Sequence, residues 1–569
     1  MTPREKAEQF IEEDKKFRLG GLITEQSHPI TRNLSDALKK SIPSGLKKLL
    51  DVDLETLPIL KEIFESSKFT ELIQDLHSTL KSGGRVFFTG CGATGRLSIL
   101  LESSWREACK ENTLLTRYEN QLFSIMAGGD YALIKSVEGF EDFTNFGKEQ
   151  IRSFSLTSKD MVVSITEGGE TSFVIGTAWA GVEASAKTWF VYNNPTELLC
   201  QTVERSCKII QNPSVKSLDL TTGPMAIAGS TRMQATTVEL LIIGSALECC
   251  LHKLLQKSFY APATFYKIYK DLLLSIQESD NLLKLAKITE NEACVFSQGG
   301  TVTYLANYGS LDLLTDTTER APTFSIPSFR KKRDRTAPLP FCILKDPCRN
   351  NEETWEHLLQ RPIRGIDWVQ SDYQRMKAPN FMIENPPFLS RESLLEYPMD
   401  SEEDKTRNQK NRISLLSHFL VESDFSQNAK ILQTDKSWFQ HFSNKNSMIV
   451  RSKILNNDLQ SGDHSLQISY PGSSLRLWEH LSAKLILNTH STACMGLAGR
   501  IQGNWMIHVQ ATNKKLIDRA SRLIADLGKI SYSEACIRLH ESIELISHFP
   551  PEKAKPSPAW FALQQLHSA

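Results

Sequence analysis

The feature that most constrains this chain is a unit that recurs: a short apolar run, a turn of glycine and hydroxyl residues, and a segment with apolar residues at helical spacing. Val86-Phe87-Phe88 leads into Gly90-Cys91-Gly92-Ala93-Thr94-Gly95-Arg96 and then into a helical segment from Leu97 to Ala108. Met161 to Ile165, the turn Thr166 to Ser172 and the helical segment Phe173 to Ala186 repeat the plan. A third turn, Thr221 to Arg232, contains Gly223-Pro224 and Gly229-Ser230-Thr231-Arg232 and feeds an apolar helix from Met233 to Leu254. Strand, turn and helix in alternation specify an α/β fold, a doubly wound and mostly parallel sheet with helices on both faces. From Ala293 the plan starts again, with Ala293 to Phe296 as strand, Gln298-Gly299-Gly300-Thr301 as turn and Tyr304 to Leu314 as helix, which reads as a degenerate second copy.

Length and charge narrow the function classes. At 569 residues the chain holds three or four structural units. Its 66 Lys+Arg balance 66 Asp+Glu, which excludes polyanion binding by bulk charge. The basic run Arg330-Lys331-Lys332-Arg333 has no interleaved aromatics and reads as a solvated loop, as does the polar stretch Asp400 to Arg412, so no nucleic-acid partner is expected. Met1 to Lys16 lacks the pattern of a secretory signal. The apolar stretch Leu240 to Leu251 contains Ser245 and Glu248 and falls short of the roughly 20 residues a bilayer requires, so no membrane span is expected. Eleven cysteines, an odd number without a CxxC pair, fit a reducing cytoplasm, and adjacent Cys249 and Cys250 do not suit a tetrahedral metal. No metal and no cofactor are expected.

Toward the carboxyl end, Trp478 to Asn488 is helical, a break follows, and amphipathic segments lie between Lys515 and Ile546. Prolines between Pro550 and Pro558 end regular structure before a last apolar turn. The expected plan is a leader over 1–50, a first α/β module over 51–285, a degenerate second module over 286–474 and an all-helical region over 475–569.

A glycine turn that opens a helix exposes backbone amides and the partial positive charge of the helix start, which together suit a phosphate. Gly90, Gly92 and Gly95 let a ligand approach the backbone, and the Thr94 hydroxyl can donate to a phosphate oxygen, although the same spacing also serves packing. The turn lacks the lysine of a Walker loop, and Glu111 is an ambiguous ribose partner for a dinucleotide site. Three such turns with Ser and Thr in place of lysine distinguish this chain.

Gly90 to Leu97, Ala127-Gly128-Gly129-Asp130-Tyr131, Glu138-Gly139-Phe140-Glu141-Asp142 and Gly229-Ser230-Thr231-Arg232-Met233 resemble the sugar isomerase (SIS) motifs shared by N-acetylmuramic acid 6-phosphate etherases and glucokinase regulatory proteins. Ile23-Thr24-Glu25-Gln26 and Ala511-Thr512-Asn513-Lys514-Lys515-Leu516 extend the resemblance to both ends. The etherases resemble one module and pair as homodimers; the regulatory proteins fuse two modules and close them with a helical lid. The length of this chain implies the second plan: two SIS modules in a monomeric pseudo-dimer, with the second module in place of a dimer partner. The resemblance implies a sugar-phosphate site in the first module, formed by Gly92, Ala93, Thr94 and Gly95, by Thr166, Gly168, Thr171 and Ser172, and by Ser230, Thr231 and Arg232. Glu138 and Glu141, at i and i+3, would share a helical face toward sugar hydroxyls. Lys484, in a segment like one of the regulatory lid, would reach the phosphate.

The etherases use two glutamates, because the elimination needs a base for a carbon-bound proton and an acid for the leaving oxygen. Glu141 stands at the second position, but Ser104 occupies the first, and Glu102 lies about 200° further round a helix. The regulatory proteins also lack the first glutamate. The resemblance therefore implies a regulator or sensor that binds a fructose or hexosamine phosphate, without catalysis, and admits a protein partner such as a sugar kinase. The alternatives are an etherase-like lyase or sugar-phosphate isomerase that uses Glu141, and a partner-binding scaffold with a vestigial site. Glu167 and Glu170 enter the second turn, where they would repel a phosphate, so either they turn to solvent or the ligand differs, and Gln234 stands where the family has lysine.

Overall fold

A computed structural model describes residues 1–14, 17–137, 139–257, 261–306, 310–327, 329–334, 336–338, 340–346, 349–399, 414–421, 447–455, 464–549 and 555–568. The first sheet comprises β1 (Val86–Gly90), β2 (Leu122–Met126), β3 (Met161–Ile165), β4 (Lys187–Tyr192) and β5 (Val215–Asp219), in the order β2-β1-β3-β4-β5. All neighbours are parallel, with Val86 in register with Leu122 on one side and Met161 on the other. β1 and β3 are buried throughout, as unbroken apolar runs in a parallel sheet covered on both faces must be. The strand order reverses between β1 and β3, which leaves a crevice at their carboxyl ends, where ligands of open α/β sheets bind.

The Gly92–Glu111 and Ser172–Glu183 helices follow β1 and β3 and pack on the sheet, and the Gln234–Leu254 helix packs against the Ser67–Lys81, Leu477–Leu497 and Gly92–Glu111 helices. The Gln234–Leu254 helix is the one expected over Met233 to Leu254. It is long and apolar enough to cross a membrane by composition, but 94% of its apolar window lies inside the fold, so it is a core helix.

The second sheet comprises β6 (Thr301–Ala306), β7 (Cys342–Lys345), β8 (Ser414–Val421), β9 (Ser447–Leu455) and β10 (His464–Ser469), in the order β10-β9-β8-β6-β7. It is mixed rather than mostly parallel: β6 pairs parallel with β7 and β8, whereas β8, β9 and β10 form an antiparallel meander. Ala293 to Phe296 is not a strand. It lies in the Ser279–Ser297 helix, where Leu282, Leu285, Ala286, Ile288, Thr289, Glu292, Ala293 and Val295 are buried at helical spacing. A short apolar run is the same in either structure, and the longer period decides it. Gly299, at φ +69°, ends that helix, so the Gly299-Gly300 turn enters β6 instead of leaving a strand. The helix expected from Tyr304 is the Ser310–Phe324 helix. The basic run is a loop in which Lys331 pairs with Glu396, and the stretch Asp400 to Arg412 lies outside the described residues.

The Leu477–Leu497 helix runs without a break through Asn488 to Thr492 and is buried to Gly496. The polar residues read as a break are satisfied inside the protein: His490 bonds Thr289 at 3.0 Å and Glu292 at 2.7 Å, and Ser491 donates to Asp316 at 2.8 Å. This helix packs against both modules. A two-stranded hairpin, Ile501–Gln502 with Trp505–Met506, interrupts the otherwise helical carboxyl region. The Lys514–Gly528, Tyr532–Ser547 and Pro558–Ser568 helices follow, with a small core that includes Leu523, Leu539 and Leu563. The leader divides: its Pro3–Glu13 helix joins that group through Ala7, Phe10 and Cys536, and Glu25 accepts from Arg519 at 2.6 Å and Arg522 at 2.6 Å.

Candidate functional site

A cavity of about 190 Å³ lies at the carboxyl ends of β1, β2 and β3. Three helix-opening turns reach its wall: Cys91 to Ala93, Thr171, and Gly229 to Arg232. The expected glycine loop is the first turn of a helix. Gly92 begins it at φ +56°, a conformation that a side chain would strain. The Thr94 hydroxyl accepts from the Cys91 amide at 3.1 Å and donates to the Cys91 carbonyl at 2.9 Å, so it holds the turn closed. A Cβ on Gly95 would sit 2.6 Å from Met126 Cγ and 3.1 Å from the Gly90 carbonyl, so this glycine allows the helix to lie against the sheet.

In the second turn Thr166 donates to Thr171 Oγ1 at 3.1 Å, and the Gly168 carbonyl accepts from Asn194 at 2.9 Å. Ser172 is buried at the helix start. In the third, Ser230, Thr231 and Arg232 line the cavity. The Arg232 guanidinium is tied to Asp316 at 2.7 Å and Thr492 at 3.0 Å, while its buried Nε has no partner. Gln234 accepts from the Ala226 amide at 2.9 Å and so braces this turn. Lys484 does not line the cavity; from behind the turn it donates to the Arg232 carbonyl at 2.7 Å. Burial and the neighbouring Arg232 push its ammonium down to about 8.

Gly92, Ala93, Glu141, Thr171, Ser230, Thr231 and Arg232 therefore meet at one cavity, whereas Thr94, Gly95, Thr166, Gly168, Ser172 and Lys484 stand behind its wall. Glu138 lies outside the described residues. Gly139, at φ +77°, turns the chain, and Glu141 sits in the 3-10 turn Phe140–Asp142.

The carboxyl region supplies groups that the residue-by-residue reading did not select. Asn513 donates to Glu141 at 2.5 Å, and Lys515 pairs with Glu170 at 2.5 Å. Lys515 and Asn513 belong to the Ala511 to Leu516 motif, which could have marked them. Glu319, Pro322 and Thr323 reach the wall from the second module, where no motif signals them. Glu319 pairs with the buried Arg96.

Neither glutamate of the second turn faces solvent, contrary to one of the expected resolutions. Burial pushes against ionisation of Glu170, but Lys515 outweighs it and holds the carboxyl below its ordinary value. Glu167 lines the cavity, and burial pushes its carboxyl up to about 7 against the pull of Lys515. Burial likewise pushes Glu141 up to about 7. The cavity thus combines two carboxyls that exchange protons near neutrality with the paired cations Lys515 and Arg232.

Ser104 lines a different cleft, of about 40 Å³, together with His480 and Arg476. Glu102 has a structural role, buried against Arg106 at 2.8 Å, Arg361 at 3.1 Å and Arg364 at 2.7 Å.

A parallel sheet whose turns converge on one crevice at the strand-order reversal defines an α/β protein with a small-molecule site. Residues 68–180 match the family described as glucokinase regulatory protein N-terminal SIS domain. An N-acetylmuramic acid 6-phosphate etherase of Rippkaea orientalis is 32% identical over 247 residues, covering 42% of this chain and 72% of the relative. One from Francisella tularensis subsp. holarctica is 28% identical over 276 residues, covering 48% of this chain and 82% of the relative. A solved structure of the C-terminal domain of glucosamine-fructose-6-phosphate aminotransferase from Francisella tularensis aligns with a TM-score of 0.36 at 8% identity, over 79% of this chain and 96% of that one. The chain belongs to the branch of the SIS family that holds the N-acetylmuramic acid 6-phosphate etherases and the glucokinase regulatory proteins.

Proposed function

We propose that the cavity binds a sugar phosphate, a fructose or hexosamine phosphate, and that the chain acts on it in the cytoplasm as a monomer of two modules. The convergence of three helix-opening turns on one cavity carries this reading. The phosphate would take the amides of the Cys91 to Ala93 turn and the hydroxyls of Thr171, Ser230 and Thr231, with Arg232 and Lys515 supplying charge. The relatives' names and the near-neutral Glu141 favour an etherase-like elimination. Glu141 as carboxylate would take the carbon-bound proton, and Glu167 as carboxylic acid would give one to the leaving ether oxygen. Incubation with N-acetylmuramic acid 6-phosphate should release lactate, and Glu141→Gln should abolish it.

A second reading, a sensor that binds without turnover and answers to a protein partner such as a sugar kinase, is favoured by Ser104 at the first glutamate position and by the regulatory-protein match. It predicts a rise in melting temperature with at least one sugar phosphate and no lactate. No thermal response to any hexosamine or fructose phosphate would sink both readings.

A further inference from the structure

The cleft at Ser104 contains a relay that the sugar-phosphate reading does not use. Ser104 Oγ lies 3.1 Å from His480 Nε2, and His480 Nδ1 lies 2.8 Å from Asp312 Oδ2. The three residues come from three helices, Gly92–Glu111, Leu477–Leu497 and Ser310–Phe324, and are 168 to 376 residues apart in sequence. Ser104 and His480 line the cleft, whereas Asp312 is absent from its wall and buried. Such a hydroxyl, imidazole and carboxylate in series is the order in which a serine is made nucleophilic, and it is recognised by geometry on unrelated folds.

We propose that Ser104 is an activated nucleophile and that this cleft is an esterase-type site for a small acyl group, distinct from the sugar-phosphate cavity. The volume of about 40 Å³ admits roughly three water-sized groups, which suits an acetyl-sized acyl chain. Ser104 Oγ attacks the acyl carbon while its proton passes to His480 Nε2. The bond to the alcohol oxygen breaks, and the alcohol leaves with that proton. Water, deprotonated by His480, then attacks the acyl carbon, the acid departs, and the serine regains its proton. Asp312 acts as a positioning residue that fixes the imidazole. Burial opposes charge on His480, but Asp312 outweighs it and holds the imidazole above its ordinary value, which stabilises the imidazolium formed in each half-reaction. Ser310 and Leu311, at the start of the Ser310–Phe324 helix, line the same cleft, and the partial positive charge there favours the oxygen that becomes negative in the attack.

The test exposes the full chain at pH 8 to a fluorophosphonate probe and, separately, to p-nitrophenyl acetate. The expected result is an adduct mapped to Ser104 by mass spectrometry and steady hydrolysis. Ser104→Ala should lose both, and Asp312→Asn should slow labelling at least tenfold. Absence of a Ser104 adduct, or hydrolysis unchanged in Ser104→Ala, overturns the proposal. As a check independent of the alanine variant's stability, Ser104→Cys should be alkylated by iodoacetamide at the introduced thiol at least tenfold faster than Ser104→Cys combined with His480→Gln. Equal rates would mean that the relay only ties three helices together.

Discussion

In the first sheet the glycine turn follows β1, one strand in from the edge; in the second, the glycine turn precedes the corresponding strand, β6. The two turns therefore lie at opposite ends of their sheets, and only the first lies where helix starts converge on a crevice. The second module, among the described residues, gives the cavity the side of a helix, through Glu319, Pro322 and Thr323. A repeated element need not bring a repeated site: one copy opens its turns onto the cavity, and the other closes the wall.

Four experiments test that asymmetry. Lys515→Met should have the largest effect, because it leaves the Glu170 carboxylate buried without its cation: a cost of about 3 kcal/mol, read by chemical denaturation, with loss of the sugar-phosphate thermal shift. Gly95→Val should cost about 2 kcal/mol by forcing the helix off the sheet, and should also remove the shift. If either variant kept full ligand response, the first-module turns would not be the site.

The pH dependence comes next. Glu167 holds its proton to about 7 in the folded chain, above its ordinary value of 4.5, so the folded state binds more protons than the unfolded between those limits. Stability should fall as pH rises from 4.5 through 7 and then level off. Glu167→Gln removes the Glu167 share of this dependence, leaving that of Glu141, and should raise stability at pH 8 by about 2 kcal/mol, with little change at pH 4.5. Sugar-phosphate affinity, followed by calorimetry, should also fall as pH rises through 7, since Glu141 and Glu167 then ionise beside the phosphate; a flat profile would place the phosphate away from them. The smallest effect belongs to the second module. Gly299 has open space around its would-be Cβ, so Gly299→Ala should cost only about 1 kcal/mol of left-handed strain and leave ligand response intact.

In the first module β1 and β3 were legible because each apolar run leads into a turn of glycine and hydroxyl residues and a helix that keeps its period, whereas β2, β4 and β5, with no such turn after them, were not named. Cys91 to Ala93, Thr171 and Ser230 to Arg232 could be placed at helix starts from local sequence alone. What failed was non-local. Ala293 to Phe296 reads as a strand until the buried positions back to Leu282 are counted. The helix reads as ending at Asn488 because the partners of the polar residues that follow, Glu292 and Thr289 for His490 and Asp316 for Ser491, lie some 170 to 200 residues earlier. Thr94 and Lys484 have the right chemistry for a phosphate, but Thr94 spends its hydroxyl on its own turn and Lys484 its ammonium on the Arg232 carbonyl. Glu319 had no signal, because only the packing of one module on the other brings it to the wall.

The clasp of Arg519 on Glu25 joins residues 494 positions apart, and this sets an order of events during synthesis. At about 5 to 20 residues per second, Glu25 waits roughly 25 to 100 s before Arg519 is made. Lys515 is made just before Arg519, so Glu170 too must wait for a partner 345 residues further along the chain. Both clasps, on Glu25 and on Glu170, therefore close together when the Lys514–Gly528 helix forms.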